Sequence, residues 1–120
     1  MGRTARSNLV SEVAVPCCSS VFGAFCPVPW ENTNRYFGNG DACLLALAPT
    51  RRRYKATLNN SHFVLSSPKG FQFGGGSDLG LRIDDEFLQG TSAFCETFGN
   101  EPLSLHRDFR CVFMEVWGFA

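Results

Sequence analysis

The sequence predicts a mainly β fold in which two antiparallel sheets pack face to face as a sandwich. Three observations carry that prediction. Short apolar runs alternate every second residue and are cut by clusters of Gly, Asn and Pro. No stretch keeps a helical period for more than a turn or two. Twelve of the 120 residues are Phe, against two Tyr and two Trp, and so many rings without a polar handle call for an interior between layers.

Taken in order, residues 1–15 carry little periodicity beyond a strand near Val13–Val15. "SSVFGAF" (Ser19–Phe25) is β-branched and aromatic, hence a strand. "CPVPWENTNRYFGNGD" (Cys26–Asp41) is rich in turn formers and reads as a loop. "ACLLALAP" (Ala42–Pro49) has the length of a doubly buried strand, ended by proline, although Ala and Leu suit a helix equally. "RRRYKAT" (Arg51–Thr57) fits a partly exposed strand, "NNS" (Asn59–Ser61) a turn and "HFVLSS" (His62–Ser67) a short strand. "KGFQFGGG" places Phe71 and Phe73 on one face, and "DLGLRID" places Leu79, Leu81 and Ile83 opposite Arg82. "DEFLQGTS" (Asp85–Ser92) reads as a tight connection and "AFCETFGN" (Ala93–Asn100) as another short strand. "RDFRCVFMEVWGF" (Arg107–Phe119) is the strongest strand signal toward the C-terminus. Its apolar parity changes after Phe113, which predicts a bulge or burial on both faces. No internal repeat interrupts this order.

The apolar fraction of 44% and charged fraction of 18% describe an ordinary globular chain, and the length is that of one domain. Net charge is zero, which argues against nucleic acid as a partner. The charge is nevertheless uneven. Residues 1–55 carry seven basic and three acidic residues, and residues 56–120 carry four basic and eight acidic. No apolar run approaches the roughly 20 residues needed to span a bilayer, so no transmembrane segment is expected. The basic start, Arg3 and Arg6, is followed by polar residues rather than a signal-peptide apolar stretch. Arg6 also breaks the myristoylation pattern that Gly2 would begin. A cytoplasmic location is expected.

Several residue groups invite a chemical reading. Gly74, Gly75 and Gly76 resemble a phosphate cradle, but no G-K-[ST] follows and the next residues alternate rather than enter a helix. A strand connection that needs positive φ is preferred. Asp84, Asp85 and Glu86 lack calcium-loop spacing, and consecutive acids on a strand diverge, so a turn cap is preferred. Cys95, Ser92, Ser104, His62 and His106 are the candidates for nucleophilic chemistry, with a Cys95–His106 dyad the sharpest of them, yet packing is preferred. Six cysteines without a secretory signal, and without a C-x-x-C pair, read as reduced structural thiols. For redox chemistry the candidate thiols are Cys17, Cys18, Cys26 and Cys95. Arg51, Arg52, Arg53 and Lys55 could touch an acidic partner or anionic lipid, and on an edge strand they block unwanted pairing; blocking is preferred.

Three segments in order resemble the TLDc domain family, found in oxidation-resistance proteins and TBC/LysM-associated proteins. They are "VFGAF" with Trp30 and "RYFGNGDACLLAL", then "FGGGSDLGLRIDDEFLQGTSAFCETFGNEPLS", then "DFRCVFMEVWGF". The resemblance covers about Ser19 to Phe119, so 19–120 is expected as the domain and 1–18 as a weakly ordered or divergent lead. The family's usual Glu is Asp41 here. The helices and strands that normally precede "VFGAF" are not recognisable, so the chain is expected to be the C-terminal portion of the domain. The resemblance implies a sandwich with one or two short helices, no established catalytic residues, no cofactor and no metal. It also implies a role in resistance to oxidative stress and contact with the vacuolar-type proton ATPase that alters its assembly. That contact would bring the chain to organelle membranes through a partner. Family-motif residues that could meet a partner are Gly38, Asn39, Gly40, Asp41, Gly74, Gly75, Gly76, Asp84, Asn100, Glu115 and Trp117. Two other readings stay open: a thiol-based antioxidant, and a truncated gene product without function of its own. The sequence does not set the oligomeric state.

Overall fold

The computed structural model describes residues 9–15, 20–111 and 113–118. They form ten strands: β1 (Leu9–Val15), β2 (Ser20–Cys26), β3 (Cys43–Ala48), β4 (Arg52–Lys55), β5 (Val64–Ser67), β6 (Gly70–Phe73), β7 (Leu81–Asp84), β8 (Gln89–Thr91), β9 (Asp108–Arg110) and β10 (Phe113–Gly118). All pairings are antiparallel. One sheet runs in the order β10-β1-β2-β3-β4 and the other β5-β6-β7-β8-β9. The second sheet is a simple meander, in which every strand pairs with its neighbour in sequence. In the first sheet the last described strand, β10, forms one edge beside β1 and β4 forms the other.

The core lies between the sheets, and alternation delivers it. From the first sheet come Phe22, Ala24 and Cys26 on β2 and Leu44 on β3, all fully buried. From the second come Val64, Phe71, Phe73, Leu81, Ile83 and Phe109, while Gln72 and Arg82 between them turn outward. The Phe22 and Phe109 rings meet edge to face across the layers, with centroids 5.1 Å apart. Trp30, from the long β2–β3 connection, stands edge-on to both Phe37 and Phe71 at 5.5 Å. Its indole N–H donates to Ser66 Oγ at 3.1 Å, so the polar tip is satisfied while the ring packs. The same connection lies along β5: Asn34 N–H donates to the Ser66 carbonyl and Phe37 N–H to the Val64 carbonyl. That covers an edge which would otherwise be open.

Several expectations change. The short helices do not occur among the described residues, and none of those residues forms a helix long and apolar enough to cross a membrane. "AFCETFGN" is a turn rather than a strand. Phe98 and Gly99 N–H groups both donate to the Cys95 carbonyl, and Cys95 bridges Asn100. Its apolar alternation comes from burial within that turn. The connection 85–92 contains β8. The expected strand near Val13–Val15 is longer and pairs with both β2 and β10. The single long C-terminal strand is two strands in different sheets, β9 in the meander and β10 beside β1. The parity change marks where the chain crosses between sheets, not a bulge in one of them. A register shift does occur between Val21 and Phe22, where β2 faces Ala48 and then Ala46.

Candidate functional site

Four connections meet at one end of the sandwich: 38–42, 56–63, 74–80 and 92–107. Their backbones are stitched by a small set of bonds. Thr57 N–H donates to the Thr97 carbonyl at 2.8 Å, and its hydroxyl donates to the Glu96 carbonyl at 2.7 Å. The Thr97 hydroxyl donates to Asn60 Oδ1 at 2.9 Å and accepts from Gly75 N–H at 3.1 Å. Thr97 is fully buried, so it joins three of the four connections from within. The salt bridge of Arg107 to Asp78, at 2.5 Å, ties the 74–80 and 92–107 connections on the outside.

The glycines make this convergence sterically feasible. Gly74 has φ +94°, and a Cβ there would lie 2.6 Å from Cys95 Sγ. Neither the backbone conformation nor the space admits a side chain. At Gly75 a Cβ would lie 2.5 Å from the Tyr36 hydroxyl oxygen and 2.8 Å from His62 Cβ. Tyr36 stacks on His62 with ring centroids 4.6 Å apart and accepts a hydrogen bond from Gln72 Nε2 at 3.1 Å. The triple glycine is thus a place where other chain segments press onto backbone. The only backbone N–H of Gly74 and Gly75 bonded to a side chain meets Thr97, and the Gly74 N–H meets the Phe63 carbonyl.

The candidate residues divide by position. Asn39 and Asp41 are exposed on the rim, in a turn where Asn39 Oδ1 accepts from Asp41 N–H at 2.8 Å. Gly38 and Gly40 share that turn, with Gly40 against Leu58, and Gly76 is exposed beside Glu96. Asn100 is fully buried. Its Nδ2 donates to the Ala93 and Glu101 carbonyls, both at 2.9 Å, so it organises the turn beneath the rim. Asp84 lies at the other end of the sandwich, opposite Gly70 in the ladder. Its Oδ1 accepts from Leu88 N–H at 2.9 Å, and its carbonyl accepts from Phe87 N–H. This is a turn cap. Among the described residues no group of three or more His, Cys, Asp or Glu converges as a metal cluster. On β10, Glu115 pairs with Glu12 and Trp117 with Val10 in the backbone register.

The four described thiols, Cys26, Cys43, Cys95 and Cys111, are free and buried. Cys26 is fully buried at the end of β2, and its S–H donates to the Val28 carbonyl. Burial pushes its pKa up. Burial does the same to Cys43, and raises Cys111 to about 11. Cys95 is fully buried with its S–H toward the Gly75 carbonyl. It makes no hydrogen bond to His106, which is exposed, among the described residues. Cys17 and Cys18 lie outside the described residues. Sequence reasoning missed Tyr36, Asn60 and Thr97 as the residues that knit the rim. Their spacing carries no motif, and their roles appear only when distant loops meet. It also missed the exposed apolar side chains Leu58, Phe94 and Leu105, at 70%, 57% and 73% exposure.

A family model described as the TLDc domain matches residues 18–120. The chain belongs to the TLDc domain family. Among TLDc relatives, it is 34% identical over 100 residues to oxidation resistance protein 1 of Bos taurus, covering 82% of this chain and 12% of that protein. It is 32% identical over 102 residues to nuclear receptor coactivator 7 of Homo sapiens, covering 84% of this chain and 11% of that protein. Oxidation resistance protein 1 of Xenopus laevis is 32% identical over 102 residues, covering 84% of this chain and 12% of that protein. The chain therefore spans about an eighth or less of the length of these TLDc relatives.

Two tests follow from this geometry. Gly75→Ala is expected to lower stability by about 1–3 kcal/mol through overpacking. Tyr36→Phe, which removes the atom nearest the new methyl, should restore part of the loss in a double-mutant cycle followed by urea unfolding. Strict additivity would remove Tyr36 from the steric argument. The second test concerns acid. For Asp84, burial alone would raise the pKa, but N–H groups of Leu88, Gln89, Glu86 and Phe87 outweigh it and hold the carboxyl below its ordinary value. The Arg107 guanidinium beside Asp78 likewise holds that carboxyl low. Folded values below unfolded ones mean that the unfolded chain takes up protons first. The stabilisation is present above about pH 4 and is lost as pH falls through the folded values. Asp84→Asn is expected to flatten the acid limb of thermal stability below about pH 5. An unchanged acid limb would contradict the cap.

Proposed function

We propose that the chain is a non-catalytic interaction domain acting in resistance to oxidative stress, and that it works by presenting its loop rim to a protein partner. The observation that carries this reading is the contrast at the rim itself. The thiol of Cys95 is sealed under Gly74 and Gly75, while Asn39 and Asp41 stand exposed on a firmly bonded base. Burial also pushes the thiols of Cys26, Cys43 and Cys111 up, the last to about 11, away from the thiolate that redox chemistry needs. Burial then removes access as well. A rigid scaffold carrying exposed loop side chains is the common arrangement for recognition. Membership of the TLDc family, and relatives named for oxidation resistance, support the stress role.

The partner is the vacuolar-type proton ATPase, as the family resemblance implies, and the effect is on its assembly. The working location is then the cytoplasm, at organelle surfaces where the pump sits. The test uses the purified chain and the purified peripheral sector of the pump, with binding read by surface-immobilised interferometry. Saturable binding is expected, and Asn39→Ala with Asp41→Ala should weaken it by about tenfold, near 1.4 kcal/mol. Absence of binding by a cooperatively folded chain would remove the pump as partner. Reaction of Cys26 or Cys95 with peroxide faster than a free peptide thiol would overturn the non-catalytic reading.

A further inference from the structure

The rim leaves unused a feature on the first sheet. Strand β4 is one of its two edge strands and, among the described residues, pairs only with β3. Among the described residues, no other backbone hydrogen bond involves Arg52–Lys55. Among the described residues the outward N–H and C=O groups of β4 are therefore an open edge, unlike those of β5, which residues 34–37 cover. The edge is only four residues long, but it is strongly marked. Arg51, Arg52, Arg53 and Lys55 are all exposed. Among the described residues the salt bridge is Arg107 to Asp78, so none of these four cations has a carboxylate partner there.

The pleat sorts these side chains. Tyr54 turns inward and packs half-buried against the core. Arg52 shares its side, with its guanidinium carbon 5.4 Å from the Tyr54 ring centroid. Arg53 and Lys55 project from the opposite face, beside Leu45 and Cys43 of β3 in the register. A strand laid along β4 would therefore meet the Tyr54 ring with Arg52 beside it on one face and, on the other, Arg53 and Lys55, which have no carboxylate partner among the described residues. Cations along an edge repel a second basic strand, which is their protective role. The same charges attract an acidic one, and cross-strand pairs of opposite charge stabilise it.

We propose that β4 accepts an extended protein segment that alternates acidic and apolar residues, added antiparallel or parallel as a sixth strand. Acidic side chains would lie beside Arg53 and Lys55, and apolar ones beside Tyr54. Main-chain hydrogen bonds would supply the attachment and the alternation its selectivity. The edge adjoins the rim at Lys55 but does not use Asn39 or Asp41, so different substitutions test the two.

The experiment uses the full chain and fluorescence anisotropy with three labelled peptides at physiological salt. One alternates Glu and Val, one alternates Lys and Val, and one repeats the Glu–Val side chains with N-methylated amides. The Glu–Val peptide is expected to bind and the Lys–Val peptide not. N-methylation, and the double variant Arg53→Glu with Lys55→Glu, should each weaken binding by about tenfold or more. The double variant should unfold at the same temperature as the parent, because both side chains are exposed. Asn39→Ala should leave peptide binding unchanged. Equal binding of the N-methylated peptide would reduce the edge to bulk charge attraction and overturn strand addition. Undiminished binding by the charge-reversed variant, or none by the parent, would overturn the site. Vesicles of phosphatidylserine in phosphatidylcholine that bind through the same cations and displace the peptide would assign the edge to a lipid surface instead.

Discussion

The structure depends on apolar rings closing the space between two sheets. Phe22 from β2 and Phe109 from β9 meet edge to face there, with Phe73, Leu44, Leu81 and Ile83 fully buried around them. Each aromatic side chain removes a large area from water, and edge-to-face pairs add to that burial. Once those faces are committed, the rest has little freedom. Cysteines that share an inward parity, such as Cys26, go dry and lose acidity. Strand ends fall at two rims, and the connections must satisfy their own polar groups without help from the core. The end that gathers four connections does so through Thr97, Asn60 and Asn100, and through glycines thin enough to be overlain.

Much of this was legible in the residues, and the failures are instructive. Phe71 with Phe73, and Leu81 with Ile83, alternate so cleanly that face and strand follow at once. The triple glycine reads correctly as a connection because nothing after it forms a helix. What presses on it does not, because Tyr36, His62 and Cys95 come from three separate places in the chain. Ala93, Cys95 and Thr97 alternate like a strand but are buried inside a turn that Asn100 holds. Period two reports burial on every second residue, whatever the backbone does. At the C-terminal end, the change of parity is a real signal with two meanings. A bulge and a crossing between sheets look alike until the partners are known, and β9 and β10 have different partners. Cys26 follows a strand and precedes two prolines, and it reads as loop only when the flank outweighs the strand.

Charge is distributed by the same topology. The basic first half of the chain supplies β1 to β4, with its densest cluster on the outermost of them. The acidic second half supplies the meander and its turns, where Asp78 and Asp84 are bound to neighbours. Asp78 and Asp84 thus fasten loops, whereas the β4 cations have no carboxylate partner among the described residues. A chain of zero net charge can in this way offer one partner a polar rim and another a positive edge. The two proposed surfaces differ in chemistry, and the four described thiols, Cys26, Cys43, Cys95 and Cys111, lie buried away from both.

The contact between the sheets can be measured directly. Phe22→Leu, Phe109→Leu and the double variant would be unfolded in urea, and the coupling energy taken from the cycle. Rings that meet edge to face across the layers should couple by about 0.5–1.5 kcal/mol, with each single variant still folding cooperatively. Additive losses would mean that the two rings do not touch, and that the sheets do not close on each other as described.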